Sequence, residues 1–248
     1  MKQFVRGPVI EVKNINKSFG DNHVLKDFTM SVYPGENLVI LGKSGSGKSV
    51  LIKCIISLIQ ADEGEIFVLG CPIQDLDQDE LDQLRAKLGF LFQSNALYDS
   101  MTVKENLEFP LRIHWTKEER DKGAEAAVKE ALEDVGLLHT INMMPSELSG
   151  GMKKRVALAR SLILKPSVIL YDEPTTGLDP ITSREISELM VSVQKKYNAT
   201  SVIISHDLNC IKITSNRVIM LIDGTCYADG TYEELSKSTD PKIKEFFE

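Results

Sequence analysis

Residues 38–49 read Leu38-Val39-Ile40-Leu41-Gly42-Lys43-Ser44-Gly45-Ser46-Gly47-Lys48-Ser49, and this segment gives the strongest indication of the architecture. Its first four residues form an apolar run that is typical of a buried strand. The last eight match Gly-x-x-x-x-Gly-Lys-Ser/Thr, in which glycines let backbone N–H groups surround phosphate oxygens. The apolar residues that follow predict a helix whose N-terminus points at the same phosphates. The stretch therefore predicts a nucleotide site between a strand and a helix.

The lysine and the serine that end this loop have distinct roles at a nucleotide. Lys48 can reach the β- and γ-phosphates, and the Ser49 hydroxyl can bind Mg²⁺. A flexible glycine–serine turn is the alternative, but the flanking strand and helix favour the phosphate site. The residues predicted to bind the nucleotide here are Gly42, Ser44, Gly45, Ser46, Gly47, Lys48, Ser49 and Val50.

Two carboxylates follow another apolar run, at residues 168–171. Ligands of open α/β sheets bind at the carboxyl ends of strands, so this pair is expected near the phosphate loop. We predict that Asp172 holds Mg²⁺ and that Glu173 acts as general base toward the attacking water. An acidic pair before a proline can also be a simple helix start, and only the phosphate loop favours the catalytic interpretation.

The remaining patterns predict an α/β domain. Further buried strands are predicted at residues 89–92, 201–204 and 218–222, and N-terminal strands at 9–19 and 24–32. Helical periodicity is present at residues 118–135 and after Asp179, so strands and helices alternate and imply a mainly parallel sheet. We predict one domain over residues 1–248, with 1–93 and 165–248 as catalytic core and 94–164 as an inserted helical subdomain.

Composition restricts the possible functions. The 248 residues carry a formal charge of −7, which disfavours a sequence-independent nucleic-acid binder, so no nucleic-acid partner is expected. The four cysteines are widely spaced and predict reduced thiols rather than disulfides or a zinc site. No stretch approaches the roughly 18 apolar residues of a membrane span. Any membrane contact is expected to run through a partner.

A second glycine-rich segment, Leu148-Ser149-Gly150-Gly151-Met152, opens a basic helix at residues 153–164. It can bind an anion at the helix N-terminus, but it lacks the lysine of a phosphate loop. Here the chain resembles the ABC ATPase family, whose signature is this segment. The resemblance implies a P-loop NTPase (RecA-like) core with an N-terminal antiparallel β subdomain. It also implies a homodimer in which Ser149, Gly150 and Gly151 of one copy cover the ATP that the other copy holds.

Four further positions match the motifs of that family in the expected order. The resemblance implies that Phe19 stacks on adenine, that Gln93 senses Mg²⁺ and the attacking water, that Asp179 communicates across the dimer and that His206 contacts the γ-phosphate. Simpler roles are open for each of them. Phe19 can be a core residue, Gln93 a solvated loop residue, His206 a structural histidine and Asp179 a helix N-cap.

The chain is most similar to the ATPase subunits of Mla-type phospholipid transporters, which work with Mce-domain proteins. Residues 93–103, 106–112, 143–152 and 240–247 carry this resemblance, including Met152 where most ABC signatures have glutamine. Val50 departs from the threonine that usually follows the loop. The subfamily implies phospholipid transport through a separate permease pair, an Mce-domain lipid-binding protein beyond it, and a position at the cytoplasmic face of the inner membrane.

Three other functions stay open at this stage. The first is an ABC transporter for amino acids, metals or drugs. The second is a soluble ABC protein of DNA repair or translation, although these usually carry two cassettes, coiled coils or zinc insertions. The third is a nucleotide-dependent kinase, which would have no use for the 148–152 segment.

Overall fold

The computed structural model describes residues 7–247, so residues 1–6 and 248 of the predicted domain lie outside the described residues. Within that range the strands are β1 Ile10–Phe19, β2 Asn22–Val32, β3 Asn37–Leu41, β4 Glu63–Val68, β5 Cys71–Pro72, β6 Leu88–Leu91, β7 Val168–Asp172, β8 Thr200–Ile204, β9 Arg217–Ile222 and β10 Thr225–Gly230. The α-helices of the same range are α1 Lys48–Ile55, α2 Gln78–Arg85, α3 Val103–His114, α4 Lys117–Asp134, α5 Gly150–Leu162, α6 Pro180–Tyr197, α7 Leu208–Thr214, α8 Tyr232–Ser236 and α9 Pro241–Lys244.

The strands form two sheets, as the predicted fold class requires. An antiparallel sheet has the order β2-β1-β4-β5, and a larger sheet has the order β10-β9-β3-β8-β7-β6. In the larger sheet every pair from β9 to β6 is parallel, and only β10 at the edge is antiparallel. Both the N-terminal antiparallel sheet and the mainly parallel sheet are therefore confirmed. The strands β4, β5 and β10 were not predicted.

The central strand β3 shows why the larger sheet is covered on both faces. Its side chains alternate in direction, as in every strand. Leu38 and Ile40 pack with α1 and the antiparallel sheet, whereas Val39 and Leu41 pack with the helices of the other face. All four side chains are buried, so the run is apolar without interruption.

The segment 94–164, which was predicted to be helical, departs from that prediction at its start. Residues 94–102 are irregular with a few turn residues, and α3 begins only at Val103, where Thr102 caps it. Asn106 of α3 is fully buried and holds this irregular stretch: its Oδ1 accepts from the Tyr98 N–H at 2.8 Å, and its Nδ2 lies 3.0 Å from the Met101 carbonyl. The helices α3, α4 and α5 lie inside residues 94–164, and the division into subdomains stays a prediction.

No helix within residues 7–247 is both long and apolar enough to pass through a bilayer.

Candidate functional site

The topology brings three predicted motifs to one edge of the larger sheet. The strands β3, β8 and β7 are parallel neighbours, so their carboxyl ends lie side by side. The phosphate loop follows β3, His206 follows β8, and Asp172-Glu173 closes β7. Ligands of such sheets bind outside these strand ends.

The phosphate loop has a conformation that requires glycine at its last turn. Gly47 lies just before α1 with a φ of 103°, a region that side chains rarely adopt. A Cβ atom there would lie 2.8 Å from Val24 Cγ1 and 3.0 Å from the Val24 carbonyl oxygen. The loop is therefore pressed against β2, and the antiparallel sheet forms one wall of the site.

Lys48, the first residue of α1, folds over the loop that precedes it. Its ammonium donates to the carbonyl of Gly42 at 2.7 Å and to that of Lys43 at 2.9 Å. Burial lowers the pKa of Lys48, and the nearby carboxylates of Glu173 and Asp172 oppose this effect. The lysine thus places a positive charge at the centre of the loop, where phosphate oxygens are expected.

The predicted Mg²⁺ ligands Ser49 and Asp172 meet in the structure. Ser49 Oγ donates to Asp172 Oδ1 at 3.1 Å, and burial raises the pKa of Asp172 while this hydrogen bond opposes the rise. Hydroxyl and carboxylate oxygens are ligands that Mg²⁺ prefers. Among residues 7–247 no three His, Cys, Asp or Glu side chains could hold a metal ion. The pair therefore fits a cation whose other ligands are nucleotide phosphates and water.

Glu173 is held beside this pair in an unusual backbone conformation. Its φ of 51° is left-handed, and its N–H donates to the Ile204 carbonyl at 3.0 Å. The Oε2 atom accepts from Thr176 Oγ at 3.1 Å and lies 2.8 Å from His206 Nδ1. Strained residues of this kind cluster at functional sites. The carboxylate is buried, whereas the His206 side chain is 62% exposed and faces outward.

A cavity of about 620 Å³ joins most of the predicted residues. Its predicted lining residues are Phe19, Gly42, Ser44, Gly45, Gly47, Lys48, Ser49, Val50, Gln93, Glu173 and His206. Asp172 does not line this cavity but is hydrogen-bonded to Ser49, which does, and Ser46 lines a neighbouring cavity of about 400 Å³. Glu245 and Phe246 also line the cavity, and their position was not predicted. Lys43 of the loop pairs with Glu245 at 2.6 Å.

Phe19 lies at the end of β1 and is 49% exposed, so it is not a core residue. We expect Phe19→Ala to weaken ATP binding by about tenfold, because a base that stacks on an aromatic ring gains ~1–3 kcal/mol. Equilibrium titration with a fluorescent ATP analogue measures this. Tyr33→Ala, which removes a ring of similar exposure outside the cavity, is the matched control. Equal affinities for both variants and the parent chain would contradict the stacking role.

The signature residues lie at a different place. Ser149 caps α5, its Oγ accepting from the Met152 N–H at 3.3 Å. Ser149, Gly150, Gly151 and Asp179 line a separate cavity of about 580 Å³, which shares no lining residue with the cavity at the phosphate loop among residues 7–247.

Asp179 has the simpler role that the sequence left open. It caps α6, with Oδ1 accepting from the N–H groups of Ile181 and Thr182 at 3.0 Å each. The hydrogen bonds from Thr182 lower the pKa of Asp179. Its contact with a second copy stays a prediction.

Sequence reasoning missed one buried cation of the site. Lys154 on α5 is 2% exposed and donates to the backbone carbonyl of Gln93 at 3.0 Å. Burial lowers the pKa of Lys154 to about 8, against the attraction of Asp172 and Glu173. Its position two residues after Met152, close to the signature segment, was the only sequence feature that could have pointed to it. A lysine in a basic helix is usually exposed to solvent, so Lys154 was not predicted to be buried.

Comparison with known proteins gives consistent results. A sequence-family profile described as ABC transporter matches residues 25–176. The probable ribonucleotide transport ATP-binding protein mkl of Mycobacterium leprae is 38% identical over 240 residues, 97% of this chain and 69% of mkl. The chloroplastic protein Trigalactosyldiacylglycerol 3 of Arabidopsis thaliana is 38% identical over 259 residues, 96% of this chain and 73% of that protein.

The chain is also similar to an ATP-binding cassette whose structure was solved as a dimer after hydrolysis. The dimeric post-hydrolysis structure of the ATP-binding cassette MJ0796, bound to ADP and Pi, has a TM-score of 0.80 and 33% identity over 90% of this chain and 98% of that chain. These findings confirm the predicted fold class and ATP hydrolysis of the ABC transporter type, which excludes the kinase alternative. The chain belongs to the ABC transporter family as one of its ATP-binding subunits.

Proposed function

We propose that this chain powers phospholipid transport through a separate permease at the cytoplasmic face of the inner membrane, as one of two copies that enclose two ATP molecules. The observation that carries the ATPase part is the convergence of Lys48, the Ser49–Asp172 pair and the Glu173–His206 pair at one sheet edge. Phospholipid as cargo is supported by the resemblance to Mla-type subunits and by a relative named after a galactolipid.

The proposed mechanism gives each residue of the site one step. The Glu173 carboxylate takes a proton from the attacking water, and His206 beside it donates a hydrogen bond to the γ-phosphate. Lys48 stabilises the charge that develops on the transferred phosphoryl group. Ser49 and Asp172 would hold Mg²⁺ with Gln93 nearby, and the bound ion would neutralise phosphate charge.

The separation of the two cavities supports the dimer. A signature that covered its own nucleotide would line the cavity of its own phosphate loop, and residues 149–151 line the other one. A second copy, turned by a two-fold axis, can bring its signature over the first copy's phosphate loop. Each nucleotide then contacts both chains.

An apolar groove of about 310 Å³ on the helical segment supports a permease contact. It is lined by the aromatic residues Phe90, Phe92, Tyr98 and Phe109, together with Ile113, which is 62% exposed. The ring centroids of Tyr98 and Phe109, two of its lining residues, lie 4.8 Å apart. Exposed apolar patches of this kind mark protein interfaces, and the groove lies next to the segment that follows Gln93.

We expect Ile113→Glu to abolish co-purification with the permease, because a buried unpaired carboxylate costs several kcal/mol at an apolar interface. ATP binding by the isolated chain should stay unchanged. Leu58→Glu, at an apolar residue that is 54% exposed outside the groove, is the control. Retention of the permease by the Ile113 variant would contradict the assignment of the groove.

The cargo requires its own experiment. The complex is purified from its native membrane with the permease, and bound lipids are identified by mass spectrometry. Phospholipid carried by the complex, with an Mce-domain protein as a further partner, is the expected result. The name of mkl favours ribonucleotides as the second candidate. Stimulation of ATP hydrolysis by ribonucleotides other than ATP, with no enrichment of phospholipid in the complex, would make ribonucleotides the first candidate for the cargo.

A further inference from the structure

Two cations on the signature helix bind the backbone of the segment that carries Gln93. Lys154 Nζ donates to the carbonyl of Gln93 at 3.0 Å. One turn and a half further along α5, Arg160 uses both ends of its guanidinium: Nη2 donates to the carbonyl of Asn95 at 3.0 Å and Nη1 to that of Ala96 at 2.7 Å. Three of four consecutive carbonyls are thus held by one helix.

The segment they hold has a backbone that needs such support. Asn95 and Ala96 are consecutive left-handed residues, with φ of 64° and 51°. The Asn95 N–H closes a turn onto the Phe92 carbonyl at 3.0 Å. Alanine in this region is strained, and strained residues persist only where their surroundings hold them. Charge-assisted hydrogen bonds to the carbonyls provide that support.

The position of these contacts connects three regions of the molecule. Gln93 lines the cavity at the phosphate loop, Ala96 and Arg160 line the apolar groove, and the signature residue Ser149 caps the N-terminus of α5. Arg160 also lies 5.9 Å from the centre of the Tyr98 ring in that groove. The backbone of Gln93 is therefore held by α5, on a residue that also lines the nucleotide cavity.

We infer that Lys154 and Arg160 are positioning residues that hold Gln93 in its catalytic place for ATP hydrolysis. This rests on the role proposed above for Gln93. The function of the two cations is to fix the backbone carbonyls, while Gln93 itself contacts water and metal.

The first variant is Lys154→Met, which keeps the length of the side chain and removes its donor. Removal of the buried ammonium avoids its desolvation cost but also removes the hydrogen bond to the Gln93 carbonyl, so these two effects oppose each other and the melting temperature should change little. We expect kcat for ATP to fall by about tenfold, since small misplacements of a catalytic group have effects of this order, with little change in KM. Hydrogen exchange of the peptide around residues 93–98 should become faster. A purely structural lysine would lower the melting temperature and leave kcat per folded molecule unchanged.

A double-mutant cycle separates this inference from the role of Gln93. In the Gln93→Ala background, Lys154→Met should have almost no further effect on kcat, because both act through one side chain. Lys129→Met, at an exposed lysine of α4 that pairs with Glu125, is the matched control. If Gln93→Ala leaves kcat intact, the proposed role of Gln93 is wrong. If Gln93→Ala lowers kcat and Lys154→Met does not, or the two effects multiply, only the positioning inference is overturned.

Discussion

Glu173→Gln is expected to lower the turnover number for ATP by about 10²–10⁴-fold, the usual contribution of a positioned general base. Glutamine has nearly the same shape and can keep the hydrogen bond from Thr176, but it cannot accept a proton from water. The phosphate loop is untouched, so the affinity for ATP should stay within about twofold of the parent chain. Release of phosphate under saturating ATP and Mg²⁺ measures the turnover, and equilibrium titration measures the affinity.

The control for this variant is Glu133→Gln, which neutralises an exposed carboxylate on α4. It should turn over ATP like the parent chain. Turnover by Glu173→Gln near that of the parent would remove Glu173 from the mechanism and would leave another group to activate the water.

The second large effect concerns the interface between copies. Glu173→Gln is expected to bind ATP normally and hydrolyse it slowly, so it should accumulate as a dimer when ATP is present, detected by size-exclusion chromatography with light scattering. Adding Ser149→Arg should abolish that dimer, because the long charged side chain would occupy the place of the partner's phosphates. The affinity of the single chain for ATP should not change, since Ser149 does not line its own nucleotide cavity.

Two comparisons make this result specific. Ser149→Arg also removes an N-cap worth ~1 kcal/mol, so the melting temperature must be measured alongside. Ser192→Arg, at an exposed serine of α6, introduces the same side chain elsewhere and should leave the dimer intact. A dimer that forms equally well with arginine at position 149 would contradict a nucleotide shared between two copies.

The strands that are buried along their whole length were predicted from the sequence, whereas β4 and β10, which are partly exposed, were not. Every residue of the strands β3, β7 and β8 is buried, and each strand contains an unbroken run of three or four apolar or aromatic residues, so their sequences alone reveal them. The strand β4 buries only Ile66 and Val68 and contains Gly64, and β10 at the sheet edge has no fully buried residue. Neither carries enough periodic apolar residues to be recognised, because their partners supply most of the packing.

The contacts of the site that rest on local sequence patterns or on strand order were predictable, and the other long-range contacts were not. Lys48 and Ser49 belong to a local pattern, and the order of strands brings Asp172 and Glu173 to it. The bond from Lys154 to the Gln93 carbonyl joins residues 61 positions apart through the backbone, which has no residue-specific signal. The side-chain ion pair between Lys43 and Glu245 joins residues 202 positions apart, and an exposed lysine and an exposed glutamate have many other possible partners, so the sequence does not reveal this pair.

The conformation of the Lys48 side chain affects the rate at which ATP binds. Its ammonium is already tethered to two loop carbonyls, and Gly47 is already wedged against Val24. When a triphosphate binds, the Lys48 ammonium therefore exchanges its two hydrogen bonds to loop carbonyls for hydrogen bonds to phosphate oxygens. The loop needs almost no rearrangement, so binding costs little conformational entropy. Capture of ATP should then be limited by encounter in solution, while slower rearrangements are left to the docking of the second copy.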